Sequence, residues 1–172
     1  MRHRVSSASL TAALETAVAG DARRWKALTV RANEAYDAKR WQDAESLYLQ
    51  ALAEADKVFD AWCAGQPVEN ADPAPMLVVA TANLAECWLT GGRPDRAGDR
   101  LVALCRRLCA VVGSAETQPD VRDQCFRHLR PLVAELVDKL SRAGWPQERI
   151  EREVEQIRAV ALRYLARDTT KH

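Results

Sequence analysis

A spacing recurs in this chain: Ala32, Ala44 and Ala51 stand 12 and 7 residues apart, and Ala85, Ala97 and Leu104 repeat the interval. The segments around them, ANEAYDAKRWQDAESLYLQAL and ANLAECWLTGGRPDRAGDRLVAL, carry apolar residues at the helix period. Two helices approach closely only where their facing side chains are small. The spacing therefore predicts helices folded back on one another in pairs, with the pairs placed in tandem.

Punctuation divides the chain accordingly. Ala44, Leu47, Tyr48, Ala51, Leu52, Ala55, Val58, Phe59 and Trp62 make one apolar stripe, predicting a helix from about Trp41 to Ala64. GQPVENADPAP (65–75) is a loop, after which Asp72 is expected to cap a helix with Pro73 at its first position. That helix stops at Gly91-Gly92, and another starts at Pro94. Thr117 and Asp120 are spaced like a capping box before a long helix, which Pro131 is expected to kink or divide. Gly144 ends it and Pro146 opens the last helix. No segment alternates with period two over a useful length. The chain thus reads as all-α: about seven helices in one domain, with a capping helix at 7–19 and three antiparallel hairpins at 22–64, 73–113 and 119–167. At 172 residues and 48% apolar, it is long enough to bury a core.

These residues resemble the tetratricopeptide repeat family, a helix–turn–helix unit of about 34 residues. Leu28, Ala32, Ala44, Tyr48 and Ala51 match its apolar and small positions in the first pair, with Trp41 in the aromatic place after the turn. Leu84, Ala85, Trp88, Gly92 and Ala97 match in the second. Arg31 and Leu104 depart from the pattern, and the third pair keeps only Gly144 and the helix period. The interval from Ala32 to Ala85 is 53 residues, which a longer second helix and the 65–75 loop would absorb. The resemblance implies an α–α superhelix whose first helices line a groove for a peptide or protein segment. By position that groove would present Lys26, Thr29, Asn33, Tyr36 and Asp37, then Asn83, Glu86 and Leu89. Asn33, Tyr36, Asn83 and Glu86 are expected there as unpaired polar side chains. Asn33 and Asn83 also fall on the asparagine positions of the family's carboxylate clamp. Thr29 and Glu135 stand where the clamp has basic residues, so a true clamp is not expected.

Other chemistry finds little footing. Net charge is +1, which counts against nucleic acid as the ligand. Arg93, Arg96, Arg100, Arg106 and Arg107, with Arg122, Arg127, His128 and Arg130, make the centre basic, but interleaved Asp95, Asp99, Asp120 and Asp123 mark solvated helix faces. Glu148, Glu151, Glu153 and Glu155 read as the solvated face of the last helix, and Asp56 and Asp60 as mere helix-surface neighbours. Cys105 and Cys109 share a face, yet no histidine has ligand spacing, so no metal and no cofactor are expected. There is no nucleophile triad, phosphate loop or metalloprotease signature, and no enzyme is expected. Five scattered cysteines fit a reducing cytoplasm. Glu15 interrupts what would be the apolar part of a signal peptide, and no stretch nears the roughly 18 apolar residues that span a bilayer. The expected function is an adaptor, chaperone or scaffold for a protein or peptide. Two alternatives remain: a structural subunit of an oligomer, and an RNA-associated regulator. Leu162, Tyr164 and Leu165 widen the apolar arc of the last helix, so a homodimer through the terminal helices is expected.

Overall fold

The computed structural model describes residues 21–169, so the capping helix expected at 7–19 lies outside the described residues. Within them are α1 (Ala22–Asp37), α2 (Trp41–Cys63), α3 (Pro73–Thr90), α4 (Pro94–Gly113), α5 (Pro119–Arg142) and α6 (Gln147–Thr169), and no strand. Each of α1 to α4 packs on its successor; α6 lies against α4 and α5, and α3 also touches α5. The residues of the repeated spacing are at the seams. Ala32, Ala44, Ala85 and Ala97 are 0% exposed and Leu104 is 3% exposed, so the spacing marks helix-to-helix contact. Phe59, Leu84, Leu101, Leu108, Leu132, Leu136 and Leu140 fill the core between these seams.

The turns inside the three pairs are built alike. Lys39, Gly92 and Gly144 each take a left-handed backbone, with φ of 59°, 72° and 76°. Two backbone bonds close each turn. Arg40, Arg93 and Trp145 donate to the carbonyls of Ala35, Trp88 and Leu140, six-to-one bonds of 2.9, 2.8 and 3.1 Å that satisfy helix-end carbonyls. Lys39 adopts this conformation without glycine's freedom.

Two local expectations need correction, and a third is narrowed. Gln118, not Thr117, precedes the first residue of α5, and it makes no side-chain cap bond. Ser114 Oγ instead accepts from the Glu116 N–H at 3.2 Å, one turn earlier. Asp72 stands at the start of α3 as expected, but its side chain caps nothing, whereas Asp21 accepts from the N–H groups of Arg23 and Arg24. Helix α5 is not divided by Pro131. That residue is exposed, so water can satisfy the carbonyl which its missing N–H leaves open.

Trp145, 8% exposed, closes the junction of α4 with the α5–α6 turn by lying against Gly98. A Cβ at Gly98 would stand 2.6 Å from the indole. Gly98→Ala is therefore expected to destabilise by about 1–3 kcal/mol through overpacking, less roughly 1 kcal/mol of helix propensity. Gly113→Ala, where a Cβ meets nothing within 4 Å, is the matched control and should be neutral or mildly stabilising. Urea unfolding of the two variants checks the contrast, and equal behaviour would refute it.

Candidate functional site

Helices α1, α3 and α5 open the three pairs, and their outward faces carry the expected groove residues. Lys26, Asn33 and Asp37 lie seven and four residues apart on one side of α1, all exposed. Asn83 and Glu86 are half-buried on α3, and Tyr36 is half-buried at the end of α1. Val30 and Val79 add apolar surface to the same faces, 49% and 41% exposed.

Asn33 is oriented by its own hairpin. The hydroxyl of Tyr48, on α2, donates to Asn33 Oδ1 at 2.7 Å. Tyr48 is buried, and burial pushes its phenol up to about 12, so it keeps the proton it donates. With the carbonyl oxygen occupied, the amide NH2 is the end that Asn33 turns outward, a donor of two hydrogen bonds.

Tyr36 and Glu86 differ from expectation, because both are paired. The Tyr36 hydroxyl shares a 2.9 Å hydrogen bond with Thr90 Oγ1, and its ring meets Trp41 edge-on at 5.2 Å, so it ties α1 to the end of α3. Glu86 accepts from Lys139 Nζ at 2.8 Å and from both terminal nitrogens of Arg142 at 2.8 and 2.6 Å, tying α3 to α5. The Arg142 hydrogen bond, helped by Lys139 and opposed by desolvation, holds the Glu86 carboxyl down at about 2. Thr29 donates to the carbonyl of Trp25 and is likewise engaged.

The central arginines are a second correction, since many of them are spent between helices. Glu45 of α2 accepts from Trp88 Nε1 at 2.7 Å, Arg93 at 2.7 Å and Arg96 at 3.2 Å. Arg107 reaches Asp56 and Asp60 at 2.5 Å each, and Arg100 reaches Asp56 at 3.3 Å. Asp56 and Asp60 are thus joints between α2 and α4. Arg106 pairs with Glu153 at 2.8 Å, which takes Glu153 out of the solvated face assigned to it. A signal was present: acids at Glu45, Asp56 and Asp60 keep one ridge of α2, and Arg96, Arg100 and Arg107 keep one ridge of α4, with Arg93 just before its first residue. Arg127 and Arg130 are exposed and have no ion pair among the described residues.

Two clefts lie elsewhere. One, of about 470 Å³, runs between α4 and α6 over Cys105, Cys109, Ile157 and Val160. The other, of about 680 Å³, opens at the end of the α5–α6 pair. Burial pushes the thiols of Cys105 and Cys125 up to about 12 and that of Cys63 to about 11, so these sulfurs stay protonated at neutral pH. Among the described residues no group of three or more His, Cys, Asp or Glu side chains gathers as a metal site, and no helix is long and apolar enough to cross a membrane.

Residues 23–170 match the model of a family described as protein of unknown function, DUF2753, and the chain belongs to that family. No curated protein and no solved structure matches the chain.

Proposed function

We propose that this DUF2753 member is a non-enzymatic interaction module whose helix pairs stack in the tetratricopeptide manner. The first-helix faces of α1 and α3 would bind an extended protein or peptide segment. The observation that carries this reading is Asn33: Tyr48 fixes its carbonyl inward, and its NH2 donors face an uncovered surface. Asn83 adds a second amide on the neighbouring helix, and Val30 and Val79 supply apolar contacts beside them. An amide pair of this kind suits backbone carbonyls, which carry polarity without charge. The free thiols throughout the chain agree with a reducing, cytoplasmic setting.

Selection from a random peptide library on the full chain, followed by titration of the recovered peptide, tests the reading. Asn33→Ala and Asn83→Ala should each weaken binding by about tenfold, the worth of one or two hydrogen bonds. Tyr48→Phe should weaken it as well, because the Asn33 amide then loses its fixed orientation. Peptides that bind all three variants like the wild type, or that shift amide signals only in α4 and α6, would overturn the proposal.

A further inference from the structure

The last helix carries a knob, a hole and a charge pattern that fit a second copy of itself. Leu162 and Leu165, 60% and 48% exposed, project from the second half of α6. The 680 Å³ cleft lies beside the first half, floored by Val137, Ile150 and Val154 and rimmed by Glu148, Glu151 and Glu155 together with Gln147, Arg152 and Arg158. In the preceding pairs the corresponding position is filled, since α3 packs on α2 and α5 packs on α4 and α3. At the end of the stack no described helix fills it.

On the face that carries Leu162 and Leu165, Glu148, Glu151 and Glu155 lie on the first half and Arg158 on the second; of the first half's own arginines, Arg149 is paired with Asp99 and Arg152 stands beside the cleft. From Gln156 to Arg167 there is no acidic residue. A helix ordered acid-first and base-last complements itself when paired antiparallel. Glu155 and Arg158 already form an i, i+3 pair at 3.1 Å. A two-fold axis between them brings each opposite the other's counterpart on the partner. That register also carries Leu162 and Leu165 over the start of the partner helix, where the cleft opens. Both halves of the contact are then made twice, as a two-fold interface requires.

We infer that the protein forms a two-fold dimer through antiparallel α6 helices, with Leu162 and Leu165 of each copy seated in the Val137–Ile150–Val154 cleft of the other. Sedimentation equilibrium of the full chain at up to about 100 µM should give twice the chain mass of 19.1 kDa. Leu162→Glu/Leu165→Glu alters only exposed side chains. It should keep the helical circular dichroism and sediment at 19.1 kDa. Glu155→Arg and Arg158→Glu each place like charges together and should weaken self-association by about tenfold. An equimolar mixture of these two variants should associate again as a heterodimer. A monomeric wild type, a leucine variant that still dimerises, or a mixture that fails to associate overturns the inference.

Discussion

Phe59→Ala is expected to lower the unfolding free energy by about 3–5 kcal/mol, the range for an aromatic ring removed from a closed core. Phe59 is 1% exposed and meets Trp62 edge-to-face with ring centres 5.7 Å apart. Its other face supports the joint between α2 and α4. The Arg107 guanidinium lies 4.8 Å from the ring centre while its nitrogens reach Asp56 and Asp60 at 2.5 Å each. Truncation thus opens a cavity and removes the ring that supports the cation bridging two helices. Arg107→Lys keeps the charge but loses the planar fork, and it should cost only about 1 kcal/mol because the joint is partly solvated. The double variant should fall short of additivity by about 0.5–1 kcal/mol, the size of a cation–aromatic contact. Urea unfolding of the four proteins measures all three quantities. A loss below about 1 kcal/mol for Phe59→Ala would show that the site collapses around the missing ring.

The backbone was legible because its signals are local. Pro73 and Pro94 begin α3 and α4 where expected, and Gly92 and Gly144 take the left-handed turns after α3 and α5. The alanine spacing is legible for a related reason: close approach of two neighbouring helices is a requirement on residue size, visible in one dimension. Side-chain partnerships were not legible, because they depend on the offset between pairs. Tyr36 meets Thr90 across 54 residues, Glu86 meets Lys139 across 53, Glu45 meets Arg93 across 48 and Arg106 meets Glu153 across 47. Each separation is close to the 53-residue interval between Ala32 and Ala85. The long-range polar contacts therefore act as a ladder between successive pairs. Residues assigned to a ligand by position alone, Tyr36 and Glu86 among them, turn out to be its rungs. Asn33, whose partner Tyr48 lies on its own hairpin, keeps its donors outward because its bond runs within a pair.

The rung at Glu86 should govern acid stability. Lys139 is 8% exposed, and Glu86 Oε2 at 2.8 Å is its nearer carboxylate, with Glu135 at 3.6 Å. Glu86→Ala leaves that ammonium desolvated with the longer partner alone. Complete loss of a buried partner costs about 3–5 kcal/mol; the remaining Glu135 and the partial exposure of Glu86 reduce the expectation to about 2–3 kcal/mol at neutral pH. Glu86→Ala/Lys139→Met removes both charges and should recover much of the loss, since no buried charge is then left without compensation. The pH dependence follows from the carboxyl held at about 2, against an ordinary value of 4.5. A lowered folded value means that the unfolded chain binds the proton first. The contribution of Glu86 is therefore complete above about pH 5 and declines as pH falls from there toward 2. The stability difference between wild type and Glu86→Ala, followed by urea unfolding from pH 7 to pH 2.5, should narrow steadily below pH 5. A difference that stays constant across that interval would locate the effect in packing and not in the ionised carboxylate.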